Sequence, residues 1–258
     1  MTVLVGVLCS DGLVVGADSI ATSSAGMHPL IQVRSDDKIK IIGGRVIIAG
    51  TGAVGLGQRF HAVVQKAWDE EIFSRKSCND CCRHLATAAV TDFRGTGTPQ
   101  HSQHGYGFAA MLGVPIGNSP ELVEFGLPDF QPERKTGNMH FVSMGSGQVL
   151  ADPFLAFVSR VLWQGKQPDV KTATFGVYWA LDHAIKFAPG GIGAPIRIAV
   201  LRRVSNEWSA RLLEEAELEE QAQHISEIES RISGYPAQII AQGEVSPLPQ
   251  PPPPGKSA

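Results

Sequence analysis

The chain is poor in several things that would narrow its role. Aromatic residues make up 7% of its 258 positions, charged residues 18%, and the formal net charge is only −3. That charge is too small to predict a nucleic-acid or membrane-surface partner. No apolar run approaches the roughly 20 residues of a membrane span. No basic segment precedes the first apolar run and no small-residue cleavage site follows it, so no signal peptide is expected and the cytoplasm is the expected location. Cysteine is scarce too: Cys9, Cys78, Cys81 and Cys82. The last three cluster as CNDCC, but a structural zinc site needs a second ligand pair farther on, and none exists. They read as thiols on the surface or in the core of a helix. His101 and His104, in HSQHGYG, have no nearby carboxylate and read as loop residues. No GxxxxGK[ST] phosphate loop occurs, so any ATP-driven step must come from another chain. No cofactor is expected.

What is present is an apolar content of 43%, enough for a sizeable core. Val3–Leu8 and Leu13–Ala17 flank Asp11-Gly12, and Lys38–Ile42 and Arg45–Ala49 flank Gly43-Gly44. Both read as hairpins, and their weak alternation predicts burial on both faces. Helices are expected over Gly55–Glu71, with Phe60, Val63, Val64 and Trp68 on one stripe, and over Asp80–Phe93, capped at Asn79 or Asp80. Strands return at Tyr106–Val114, Glu121–Phe125 and Met139–Met144. Helices follow at Gln148–Trp163 and Val170–Phe187, then strands at Arg197–Val204 and Glu207–Leu212. Strand groups alternating with helix pairs predict an α+β fold of antiparallel sheets covered by helices. Leu213–Ile232 reads as an amphipathic helix, and from 235 to 258 the chain becomes a Pro-rich tail, polyproline II or disordered. The domain reading is therefore 1–212, a helical extension 213–234 and a tail 235–258.

The chemistry begins at the second residue. A threonine hydroxyl is a weak nucleophile without a base beside it. If Met1 is removed, Thr2 brings its own base, an α-amine with an unperturbed pKa of about 7.7–8.0. Small second residues favour that removal. Taken singly, each further candidate has a plain structural reading: Asp18 in a turn, Asp36-Asp37-Lys38 as a solvated loop, Gly50 and Gly52 as turn glycines, Ser146 as a helix cap.

Together, GADS at 16–19, DDKIKI at 36–41, AGTGAVG at 49–55 and MGSG at 144–147 resemble the proteasome β-subunit family of N-terminal-nucleophile hydrolases. Order and spacing carry the likeness, strongest over the first 55 residues and near 140–150, with a longer loop before Lys38. The resemblance implies a four-layer αββα sandwich and a self-assembled ring or stacked rings with the threonines facing inward. By position it implies that Thr2 is nucleophile and base, that Lys38 is a neighbouring cation, and that Asp18 keeps Lys38 charged. It further implies that the Gly52 N–H faces the oxyanion and that Ser146 bonds near the amine. Thr22, Gly50 and Val54 would bind an extended peptide, added as a strand. An ion pair at about 4 Å and an effective dielectric near 20 is worth about 4 kcal/mol before desolvation.

The chain departs from the family where the threonine is usually supported. AIKFAPGGIG puts Lys186 where an aspartate is expected and Pro189 where a serine is expected, and Ile20 replaces an arginine. Three functions follow: a self-compartmentalised threonine peptidase, fed by a separate ATPase unfoldase; an assembly protein that keeps the fold without turnover; or an amidase for small molecules.

Overall fold

Apolar runs broken by Gly-containing turns give the first hairpin, β1 (Leu4–Leu8) and β2 (Gly12–Ala17), whose residues are buried throughout. The computed structural model describes residues 2–25, 28–34, 38–95, 107–127, 129–188 and 190–242. Within them the order continues with β3 (Ile20–Ala25), β4 (His28–Arg34), β5 (Ile39–Ile42), β6 (Val46–Gly52), α1 (Val54–Asp69), α2 (Ile72–Arg75), α3 (Cys78–Gly95), β7 (Phe108–Ile116), β8 (Ser119–Phe125), β9 (Pro132–Arg134), β10 (Phe141–Met144), α4 (Gln148–Val161), α5 (Val170–Phe187), β11 (Arg197–Val204), β12 (Glu207–Leu212) and α6 (Glu215–Gln242). The chain divides into two compact units, Met1–Gln221 and Ala222–Ala258.

The first unit contains two five-stranded antiparallel sheets, ordered β10-β1-β2-β11-β12 and β5-β6-β7-β8-β9. Their facing sides share one core: Leu4, Leu13, Val15 and Leu201 of one sheet meet Ile47, Met111 and Leu122 of the other. The sheets approach closely enough that a Cβ on Gly6 would lie 2.3 Å from Met111 Sδ. A second core lies between the outer face of the β5–β9 sheet and α1, α2 and α3. There Phe60 meets Phe125 and Phe130 edge-on, at centroid distances of 5.2 and 5.1 Å. Helices α4 and α5 cover the other sheet. The architecture is the expected α+β, four-layer αββα sandwich.

Several details differ from the sequence reading. The strands β3 and β4 form a separate antiparallel pair, in a stretch of Ser, Thr and Pro with no apolar alternation to reveal it. The short elements α2 and β9 were also not foreseen. Helix α3 starts earlier than expected, because Ser77, not Asn79 or Asp80, accepts the Asp80 N–H at 3.3 Å. Helix α6 continues through Pro236 to Gln242. His101, His104 and the chain beyond 242 lie outside the described residues.

Candidate active site

The centre is Asp18, just past the end of β2. Its N–H donates to the Val3 carbonyl at 3.2 Å, continuing the β1–β2 ladder. Its carboxylate, fully buried, turns back on the same strand: Oδ1 accepts the Val3 N–H at 2.9 Å, and Oδ2 accepts the Ile20 N–H at 3.1 Å and the Gly193 N–H at 3.3 Å. Lys38 Nζ donates to Oδ1 at 2.6 Å, and the lysine side chain is 9% exposed. Three main-chain N–H groups and one ammonium thus converge on this carboxylate. Burial lowers the Lys38 pKa from its ordinary value, and the hydrogen bond and charge of Asp18 oppose that fall. The lysine stands at the entrance to β5, and its carbonyl faces the Gly50 N–H at 3.4 Å. The β5–β6 hairpin thus carries the cation to the oxygen that already holds the first strand.

Thr2 is half-buried and directly precedes Val3, whose N–H the Asp18 carboxylate accepts. Its nitrogen donates to Ser146 Oγ at 3.2 Å, and its carbonyl accepts the Gly147 N–H at 3.0 Å. Ser146 therefore does not cap α4: the cap position is Gly147 and makes no side-chain bond. Gly145 has φ +91°, and a Cβ there would sit 2.3 Å from the Thr2 carbonyl oxygen and 3.1 Å from Thr51 Oγ1. The Gly145–Gly147 turn is pressed onto Thr2, and the end of β6 reaches the same spot. Gly52 closes β6 with φ +104°, where a Cβ would lie 2.1 Å from the Gly107 carbonyl. Since Gly50 turns its N–H toward Lys38, strand alternation turns Gly52 to the same side, beyond the start of β5 at Ile39.

Of the predicted residues, Thr2, Asp18, Lys38 and Ser146 are joined by hydrogen bonds made by their side chains or by the Thr2–Val3 backbone. Gly50 and Gly52 stand on the adjoining strand end. Val54, 71% exposed, opens α1, and Thr22 lies in β3 opposite Gln32. A Cβ on Gly50 would lie 2.8 Å from the Phe108 ring, which fills that space from behind. Thr51, Gly145 and Gly193 were missed. The first two carry no signal apart from their neighbours, and Gly193 acts through its backbone, which leaves no side-chain signature.

The departures also have positions. Lys186 pairs with Asp182 at 2.7 Å, one turn back on α5, and Pro189 lies outside the described residues. An open cleft of about 800 Å³ runs along α1 past Ala53, Arg59, Lys66 and Asp92, and Thr2 does not line it. Cys78, Cys81 and Cys82 are buried thiols on α3. Among the described residues no group of three or more His, Cys, Asp or Glu is gathered as a metal site, and no helix is long and apolar enough to cross a membrane.

No family model and no curated protein matches the chain. Solved structures do. The Anbu Gly-1 mutant from Hyphomicrobium sp. strain MC1 superposes with a TM-score of 0.67 at 15% identity, covering 91% of this chain and 97% of its own. Anbu, the ancestral beta-subunit, from Yersinia bercovieri gives 0.67 at 14%, covering 93% and 97%. The helical assembly of the Anbu complex from Pseudomonas aeruginosa gives 0.62 at 17%, covering 97% and 98%. These matches correct the sequence reading of a proteasome β-subunit. The similar structures are Anbu chains, and at 14–17% identity the likeness establishes the shared fold and no family membership.

Proposed function

We propose that this chain is a self-associating hydrolase that cleaves peptide bonds with Thr2 after removal of Met1. The observation that carries the reading is Asp18 Oδ1, which accepts both the Val3 N–H and Lys38 Nζ. One oxygen ties a buried ammonium to the residue next to Thr2. With Met1 removed, the nitrogen now bonded to Ser146 Oγ becomes a free amine. A cation close by lowers the pKa of that amine and keeps it neutral and basic. The amine takes the hydroxyl proton as Oγ1 bonds to the scissile carbonyl carbon. The Gly52 N–H stabilises the oxyanion. Collapse expels the peptide's amine, which leaves with that proton, and water then hydrolyses the ester to free Thr2. Thr22 and Gly50 supply backbone for a substrate strand, and Val54 borders it.

Self-association, in a ring or a helical stack, is supported by the helical assembly of the P. aeruginosa Anbu complex, which covers nearly the whole of this chain. Unfolded protein delivered by a separate ATPase is the substrate in this reading. Lys186, paired with Asp182 and standing where the resemblance expects an aspartate, favours a second reading, an assembly protein without turnover. Turnover of a peptide mixture and of small amides by the purified chain separates the readings. Peptide cleavage lost in Thr2→Ala supports the peptidase; cleavage of small amides alone moves the assignment to an amidase. Equal products from wild type and Thr2→Ala overturn the catalytic assignment.

A further inference from the structure

We infer that Gly193 is a positioning residue, which sets the rotation of the Asp18 carboxylate and through it the place of Lys38. The inference rests on the threonine-hydrolase reading above. Gly193 grips two consecutive residues: its N–H donates to Asp18 Oδ2 at 3.3 Å, and its carbonyl accepts the Ser19 N–H at 2.9 Å. Oδ1 already serves Val3 and Lys38, so Oδ2 is the oxygen that fixes how the carboxylate plane is turned. Its described donors are the Ile20 and Gly193 N–H groups.

Gly193 is required by space, not by backbone angle. It does not occupy the left-handed region, yet a Cβ there would lie 2.7 Å from Ile20 Cγ1. A methyl group must therefore push Gly193 and Ile20 apart, and these residues supply both donors to Oδ2. The same segment follows α5, where Lys186 and Pro189 replace the expected acidic and hydroxyl support. The α5–β11 connection thus supports the site by a main-chain clamp on Asp18. Ile20 shapes the clamp, since its side chain takes the space that excludes a Cβ from Gly193.

The test compares wild type, Gly193→Ala, Ile20→Ala and the double variant in covalent labelling of Thr2 by a peptide epoxyketone. The concentration dependence separates inhibitor binding from the inactivation step. Gly193→Ala should slow inactivation about tenfold, the size of one lost hydrogen bond to a charged group, with unchanged inhibitor binding. The double variant should return to within about threefold of Ile20→Ala, because the clash is gone. Labelling of Gly193→Ala at the wild-type rate overturns the inference, as does a double variant no faster than Gly193→Ala. A wild type that takes no label overturns the threonine-hydrolase reading itself, and the inference with it.

Discussion

Burial and the neighbouring Asp18 act on Lys38 in opposite directions. Burial weakens its hold on the proton, and Asp18 restores part of it. Asp18→Asn removes the charge and leaves a nearly buried ammonium uncompensated, at a cost of about 3 kcal/mol. Thermal unfolding should show a clear fall in melting temperature, and Thr2 labelling should nearly vanish. The lowered Lys38 pKa also gives stability and activity opposite pH slopes. The unfolded chain holds the lysine proton more tightly, so stability rises with pH between the lowered value and the ordinary lysine value of 10.5. The labelling rate falls across that same window as the ammonium is lost. Lys38→Met should abolish both trends, which parallel pH titrations of unfolding and labelling will read. Ser146→Ala removes an exposed hydrogen bond of about 1 kcal/mol at most and should slow labelling no more than about fivefold. The pairing of Asp18 with Lys38 was legible because charged residues spaced in register with the proposed nucleophile are conspicuous. Gly193 was not, because its contribution is a main-chain N–H.

Among the elements, the long strands and helices were read from periodicity and Gly turns, and α5, β11 and β12 match residue for residue. The β3–β4 pair was not readable, since two strands held mainly by each other need no apolar face. The first turn of helix α6 carries Glu217, whose carboxylate accepts the Glu214 N–H at 2.9 Å and pairs with Arg211 at 2.7 Å. The hydrogen bond from Arg211 holds that carboxyl down at about 2, from its ordinary 4.5. Its contribution is present above the unfolded value and disappears as pH falls from 4.5 toward 2. Glu217→Gln should therefore loosen the start of α6 at neutral pH, as amide exchange over Glu215–Gln221, and make no difference near pH 2. On α1, which covers the β5–β9 sheet, Phe60→Ala would empty the meeting point of Phe108, Phe125 and Phe130. Loss of about 3–5 kcal/mol is expected in denaturant unfolding.

Over the whole molecule, the layered order was legible because strand groups and helix pairs alternate along the chain. The relationship to known proteins was legible only in part. Motif spacing pointed to proteasome β-subunits, whereas the shared fold is that of Anbu chains. A short constellation of catalytic residue types recurs wherever the chemistry does, so it discriminates poorly among proteins of one fold. Helix α6 offers exposed apolar side chains to the proposed assembly. Leu218 and Ile225 are buried, while Ile232, one further heptad along, is 57% exposed, and Tyr235 is 60% exposed. Removing residues 213–258 should reduce the particle mass measured by light scattering; an unchanged mass assigns assembly to the sheets and remaining helices. The central claim is that the Thr2 amine and hydroxyl form one catalytic unit beside Lys38. Intact and tandem mass spectrometry of the native protein, with and without a peptide epoxyketone, tests it most directly. The account predicts a chain that starts at Thr2 and carries the whole adduct on that residue; retained Met1, or a label on any other residue, would contradict it.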